Sequence, residues 1–441
     1  MIGIGMTDRF ISPTRRRLLA GLGSALLIPS VTSGARAQQR PVAALRATVG
    51  KSALRPGAET AIWSLQTASP DTPLRFRRGE EIDLTFDNQL PVPAVLNWHG
   101  LDGAVAAEPL LGRPSLRPSG KEAIKIQMRH AGTFMSDVRL LGDGLTTPSQ
   151  ARAVVVAETG PVTVDRDELW LIEDFRLRAD GTAIAPGNEA SDATALYTVN
   201  GSTVAELTLR PNDRLRLRII NGCQRNAIAM KIEGHDVRVL AIDSQPCEPF
   251  LARGGQLVFA PGTRVDVFID AARPAGSASI VQLHDGKGAR LIGRLLAAGE
   301  AARDKPLPDP APLPSNGLPA QLDLKNALRF DLALGAQEWV RPAAMSAGIA
   351  PAFRAKAGRT VTLALTNRGT LPGVFHLHGH HFRLLDRLDD GWKPFWLDTL
   401  MLDAGQTQRI AFAAEYPGRW LMESMALDWA APRLLRSYAV E

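Results

Sequence analysis

The stretch GVFHLHGHHF, Gly373–Phe382, sets four histidines (His376, His378, His380 and His381) within six residues of a chain that has eight in all. Imidazoles at i and i+2 of a strand point to one side, so His376 and His378 form a candidate pair of ligands aimed at one metal ion. A site of that kind draws its remaining ligands from elsewhere in the fold. The other histidines are His99, His130, His235 and His284, of which only His99 stands in a comparable context.

The elements that must carry these residues are strands. Alternation of apolar and polar residues is common and long helical periodicity is scarce, which predicts an all-β chain. A self-similarity runs through it. RFRRGEEIDLTFDNQLPVPAVLNWHG (75–100) matches FRAKAGRTVTLALTNRGTLPGVFHLHG (353–379): a basic Gly turn, an alternating strand ending in Asn, and His eleven residues later. Asn88 thus corresponds to Asn367 and His99 to His378, while Asn97 stands where the other copy has His376. LRPNDRLRLRIINGCQRNAIAMKIEGHD (209–236) is a third copy with Asn221 in the same role and no histidine pair. Downstream, Gly132 and Gly418 each precede an acid by five residues, Asp137 and Glu423. Three copies of one unit predict three consecutive β-sandwiches, over 38–160, 161–303 and 320–441. The Pro-rich stretch 304–319 reads as a stiff linker between the last two.

Residues 1–37 read as an export signal: Arg15-Arg16-Arg17, an apolar run too short to span a membrane, and a small-x-small end at Ala35-Arg36-Ala37. The Thr-Arg-Arg-Arg-Leu-Leu arrangement is of the twin-arginine type, which carries folded proteins. The expected location is the periplasm. The segment holds five arginines against one aspartate, so a formal charge of +6 falls to +2 without it. The high pI is therefore no argument for nucleic acid or an anionic membrane surface, and no second apolar segment is long enough to span. Cys223 and Cys247 would meet an oxidising compartment, either as a disulfide or as two buried thiols.

At NWHGLDG, AGTF, HLHGHHFRLL and GQTQRIAFAAEYPGRWLM the chain resembles the multicopper oxidases, across essentially its whole length after the signal. The resemblance implies three cupredoxin-like Greek-key domains, a blue copper in the last, and a trinuclear copper cluster between first and last. Electrons from a substrate enter at the blue copper and reduce dioxygen at the cluster. Carried over residue by residue, the first His-x-His is Asn97-Trp98-His99 and the second is Asp137-Val138-Arg139. The third motif is Gly373 with His376 and His378, and the His-Cys-His of the fourth is Glu423-Ser424-Met425, followed by Trp429. Only His99, His376 and His378 match. These departures resemble the copper-free, twin-arginine-exported member that stabilises the bacterial cell-division machinery.

The resemblance places Arg139, His378 and Glu423 around one former copper position, and His99, Asp137 and Met425 around its neighbour. We therefore expect a network of Asn97, Asp137, Arg139, Glu423 and Met425, with the Arg139 guanidinium held against the acids as an inter-domain clamp. The rival is one copper or zinc ion on His99, His376 and His378 with a carboxylate. Two functions follow: a non-catalytic, monomeric interaction protein of the cell envelope with an unknown protein partner, or a copper-binding oxidoreductase with an atypical site. His380 or His381 is expected to pack the site, and His130, His235 and His284 to lie at the surface. Gly142–Gly144 lacks a following helix for phosphate binding, no Gly-x-Ser-x-Gly nucleophile motif occurs, and Asp389-Asp390 reads as a hairpin tip.

Overall fold

The computed structural model describes residues 42–67, 73–385 and 391–441. The signal segment 1–37 and Asp389-Asp390 lie outside the described residues. Six sheets pair into three sandwiches, as the all-β reading expects. In each, an opening strand runs parallel to the strand that ends in the repeated asparagine: Val42–Arg55 beside Glu81–Asn88, Arg166–Leu177 beside Arg214–Asn221, Leu328–Leu334 beside Thr360–Asn367. Such parallel neighbours need a crossover rather than a hairpin, so each unit folds as a Greek key around its own core.

The repeated asparagine has one physical role in all three. Asn88 accepts from the Leu90 N–H through Oδ1 at 3.1 Å, and its amide donates at 2.9 Å to the carbonyls of Val92 and Leu116. Asn221 does the same with Cys223 N, and with the Asn226 and Phe259 carbonyls. Asn367 does so with Gly369 N, and with the Leu371 and Leu402 carbonyls. An Asx turn thus ends the strand while the amide ties its loop to a neighbouring segment.

The cores are apolar and distinct: Leu45, Phe86 and Ile126 in the first sandwich, Trp170, Leu217 and Val267 in the second, Leu363, Phe375 and Trp420 in the third. Cys223 and Cys247 belong to the second core as buried free thiols. The faces between sandwiches are a mixture. Val95, Leu140, Leu421 and Leu435 make an apolar contact between first and third. First and second meet at a buried ion cluster of the second sandwich: Asp266, reached by Arg216 and Arg218, also accepts from the Thr133 hydroxyl of the first at 2.6 Å. The Pro-rich stretch is strandless and pinned at its end by Asn316, whose side chain exchanges hydrogen bonds with the backbone of Ala131.

Candidate functional site

Strand registers bring the expected residues to the seam of the first and third sandwiches. Asn97 stands opposite Asp137, and His376 opposite Glu423 with Val374 opposite Met425. The His99 and His376 rings lie 4.7 Å apart and the His376 and His378 rings 4.9 Å. All these side chains except the half-buried Met425 are buried.

His378 touches a carboxylate at each nitrogen: Glu108 at 3.1 Å from Nδ1 and Glu423 at 2.8 Å from Nε2. Burial alone would lower its pKa, but Glu108 and Glu423 overcome that and raise it to about 10. It is an imidazolium at neutral pH, with both N–H groups donating. Glu423 is correspondingly saturated. Oε1 accepts from His378 and from the Asn97 amide at 3.3 Å, and Oε2 from the buried Arg433 guanidinium. Burial pushes the Glu423 carboxyl up, yet Arg433 and His378 hold it well below the usual range.

His99 and His376 are different. The His376 Nδ1 lies 3.1 Å from the Asp398 carbonyl, which only accepts, so Nδ1 bears a proton, and Nε2 has no partner. His99 Nε2 meets Asp137 at 3.1 Å, and its Nδ1 is likewise without a partner. Burial lowers the His99 pKa despite the bond to Asp137, favouring the neutral ring. A cavity of ≈20 Å³, room for about one water, adjoins both rings with Asp137, Glu423, Met425 and Arg433.

Arg139 is a correction. Its guanidinium turns away from Glu423, donating to the Ser149 carbonyl of its own sandwich at 2.8 Å, and reaches the second sandwich at the Gly222 carbonyl (2.6 Å) and Glu173. The strand Gly132–Asp137 ends at Asp137, and Arg139 opens a short 3-10 turn, Arg139–Leu141. The two-residue alternation assumed for Asp137 and Arg139 therefore stops between them. Only the Arg139 backbone N–H reaches Asp137, at 2.9 Å. The guanidinium against Glu423 comes instead from Arg433, beyond every motif used in the sequence reading. Met425 lines the cavity as expected and its sulfur accepts from Arg225 at 3.6 Å.

A second polar cluster joins all three sandwiches. His381 Nδ1 lies 2.7 Å from Asp102 and its Nε2 donates to the Asp243 carbonyl at 2.6 Å. His130 is 3.2 Å from the same Asp102 oxygen. It is buried, contrary to the surface position expected, because the seam covers its loop. Asn316 donates to Gln245 Oε1 at 3.1 Å, which turns the Gln245 NH₂ toward His130 and His381. Arg264 from the second sandwich forks onto Asp398 of the third at 2.9 and 2.6 Å. His380 packs as expected, between the Tyr438 hydroxyl and the Tyr416 N–H. His284 is exposed and His235 half-buried. Glu108, Asp102, Asp243, Arg264, Asp398 and Arg433 went unread in the sequence, since they come from loops and sheet ends with no spacing pattern.

At the position that the resemblance assigns to blue copper, Gly373 has no side chain, Ser424 offers a hydroxyl, and Trp429 lies under the Arg176 guanidinium at 4.5 Å. Two family models, each described as multicopper oxidase, match residues 161–290 and 321–441, together more than half of the chain. A multicopper oxidase of Mycobacterium tuberculosis is 24% identical over 417 residues, covering 80% of this chain and 78% of its own length. Laccase-1 of Melanocarpus albomyces is 24% identical, with 78% of this chain and 68% of its own covered. Among solved structures, a multi-copper oxidase from Pseudomonas thermotolerans aligns with a TM-score of 0.77 at 24% identity, covering 91% of this chain and 99% of that one. Lac15, from a marine microbial metagenome, aligns at 0.73 and 26% identity, covering 91% and 100%.

Proposed function

Because the chain belongs to the multicopper oxidase family, we propose that it is an exported member that has given up the family's electron transfer and serves as a structural or interaction protein of the cell envelope. The observation that carries this reading is the composition of the blue-copper position. Such a copper takes a thiolate and two imidazoles, and Ser424, Gly373 and Trp429 offer neither. The residues at the seam do not fit a trinuclear cluster either. Eight imidazoles would be needed; here three stand at the corresponding positions, His378 meets a carboxylate at each ring nitrogen, and Glu423 is engaged by His378, Asn97 and Arg433. The Arg433 guanidinium and the His378 ring both meet Glu423 at a place where the family puts metal ions.

The twin-arginine pattern within residues 1–37 supports delivery of a folded chain to the periplasm, and Arg16→Lys with Arg17→Lys should keep the protein in the cytoplasm. The division-associated, copper-free branch is the nearest functional analogy, and the partner class is an envelope protein. The central test is metal analysis and absorption of the purified chain after exposure to excess copper. The expected protein is colourless, with copper well below one ion per chain and no oxygen uptake with phenols or cuprous ion. An intense copper–thiolate absorption or steady oxygen consumption would refute the reading.

A second reading rests on the unpartnered nitrogens His99 Nδ1 and His376 Nε2 beside one cavity. They could hold a single copper or zinc ion. Tight one-to-one binding by calorimetry, lost in both His99→Ala and His376→Ala, would favour it over the first.

A further inference from the structure

Asp102, His130 and His381 take no part in either reading above, yet one nitrogen or oxygen from each lies within 4.8 Å of those of the other two. The closest contacts run through Nδ1 of both rings. His381 Nδ1 is 2.7 Å from Asp102 Oδ2, and His130 Nδ1 is 3.2 Å from the same oxygen. The Gln245 side-chain nitrogen closes the figure, 3.2 Å from His130 Nδ1 and 3.4 Å from His381 Nδ1. Ligands held tetrahedrally on zinc by bonds of roughly 2.0–2.1 Å are about 3.3 Å apart, so these corners have the dimensions of a coordination shell.

The surroundings hold them in place. Asp102 follows the strand Asn97–His99 and is bridged to Gly379 of the third sandwich. His381 Nε2 donates to the Asp243 carbonyl of the second sandwich at 2.6 Å, so the proton there is fixed and Nδ1 is the nitrogen left to bind an ion. Asn316 is set by the Ala131 backbone at both its amide oxygen and its amide nitrogen, and it donates to Gln245 Oε1. That turns the Gln245 NH₂ inward, a partial positive charge among two ring nitrogens and a carboxylate oxygen.

Charge points the same way. Asp102, Asp243 and Asp398 are all buried here, and among the described residues Arg264 is the guanidinium paired with the last two. Asp398 also lies 3.7 Å from His381 Nε2. With both rings neutral, three carboxylates against one guanidinium leave a formal charge of −2. Uncompensated charge is costly in a buried place, and one divalent cation cancels it.

The geometry points to a structural zinc site at the junction of the three sandwiches, with Asp102 Oδ2, His130 Nδ1 and His381 Nδ1 as ligands and Gln245 beside the fourth position. Two imidazoles and a carboxylate without a thiolate form a set that zinc accepts. The site does not depend on the composition of the blue-copper position. It gives the chain a metal clamp where loops of all three sandwiches meet.

The test is zinc analysis of the full mature chain, refolded from denaturant in zinc chloride without copper and freed of excess ion by gel filtration. Refolding is used because the three ligands are only 2–6% exposed, so the ion enters as the sandwiches dock and copper added to the folded chain does not reach it. Copper is withheld because it outcompetes zinc for such ligands. One zinc ion per chain is expected, with a melting temperature above that of the chain refolded in chelator. Asp102→Asn and His130→Gln should each weaken zinc by more than about tenfold in competition with a chelator. Gln245→Glu puts a carboxylate at the fourth corner and should tighten zinc by at least about tenfold, which keeps the site testable if a ligand variant fails to fold. The site is overturned if the refolded chain keeps no zinc, if both ligand variants bind it as the wild type does, or if Gln245→Glu binds it no tighter. Zinc lost from a His99→Ala, His376→Ala double variant but kept by Asp102→Asn would put the ion at the seam histidines and overturn the site as well. The proposed function fails separately, on copper–thiolate absorption or oxygen uptake, neither of which zinc at Asp102 produces.

Discussion

His378 and Arg433 carry, at the scale of single residues, the positive charge of the seam. A buried carboxylate such as Glu423 is tolerable only with such partners. Removing one side, as in Arg433→Met, should cost about 3–5 kcal/mol, seen as a large drop in melting temperature. Adding Glu423→Leu to that variant should recover most of the loss, because two apolar groups replace the pair; a double variant no better than the single would count against the pairing. The His378 proton gives a pH signature. Its folded pKa of about 10 lies above the unfolded value of about 6.5. The stabilisation is therefore complete below pH 6.5 and lost as pH rises through 10. His381, where Asp102 overcomes burial and raises the pKa to about 9, acts in the same direction and window. Melting temperature should fall between about pH 7 and 10, and His378→Gln should flatten that fall, leaving the part due to His381.

Elements decide where those residues can reach. The third sandwich presents His376 and Glu423 as a cross-strand pair, and the first presents Asn97 and Asp137 in the same way. The asparagine staples repeated at Asn88, Asn221 and Asn367 fix where each loop leaves its strand. The second sandwich contributes a tight turn at Asp243-Ser244, both with positive φ (47° and 68°), as a two-residue hairpin with right-handed strand twist requires. That turn is wedged between the outer sandwiches: Ser244 Oγ donates to the Thr133 carbonyl at 2.5 Å, and the Asp243 carbonyl accepts from His381. Gly132 makes the approach feasible, since its φ is 141° and a Cβ there would meet the Ser244 carbonyl oxygen at 2.5 Å. Both atoms in that clash would be held by backbone. Gly132→Ala should therefore destabilise by about 2–4 kcal/mol, combining strain and overpacking. A melting temperature unchanged from wild type would show that the turn is not seated as described.

For the whole molecule, coupling between sandwiches runs through buried polar groups as well as apolar contact. Arg264 is the main one: buried in the second sandwich, it forks onto Asp398 of the third and donates to the Thr133 carbonyl of the first at 3.3 Å. Burial would lower its pKa, but Asp398 and Asp243 raise it, so the charge is permanent. Arg264→Met should leave Asp398 buried without its strongest partner, at a cost of about 3–5 kcal/mol. Calorimetry should then show the sandwiches melting in separate transitions in place of one. The expected clamp through Arg139 and Glu423 is thereby replaced by two others, Arg139 with Glu173 and Arg264 with Asp398, while Arg433 pairs with Glu423 inside the third sandwich. The apolar contact of Val95, Leu140, Leu421 and Leu435 adds to these pairs between the first and third sandwiches.

The three-sandwich architecture was legible in one dimension because it repeats: alternation, a terminal asparagine and a fixed count to the next histidine are local properties of each strand. For the same reason His376 and His378 could be assigned to one seam, where their rings lie 4.9 Å apart. What tertiary structure alone decided was the pairing of charges. Arg139 left its strand at Asp137 and found Glu173, while Arg433, Glu108 and Asp102 reached the seam from loops. Strand periodicity carries a side chain's direction only as far as the strand lasts. Beyond it, which cation meets which carboxylate depends on how the sandwiches dock, and that is settled by contacts between residues up to several hundred positions apart.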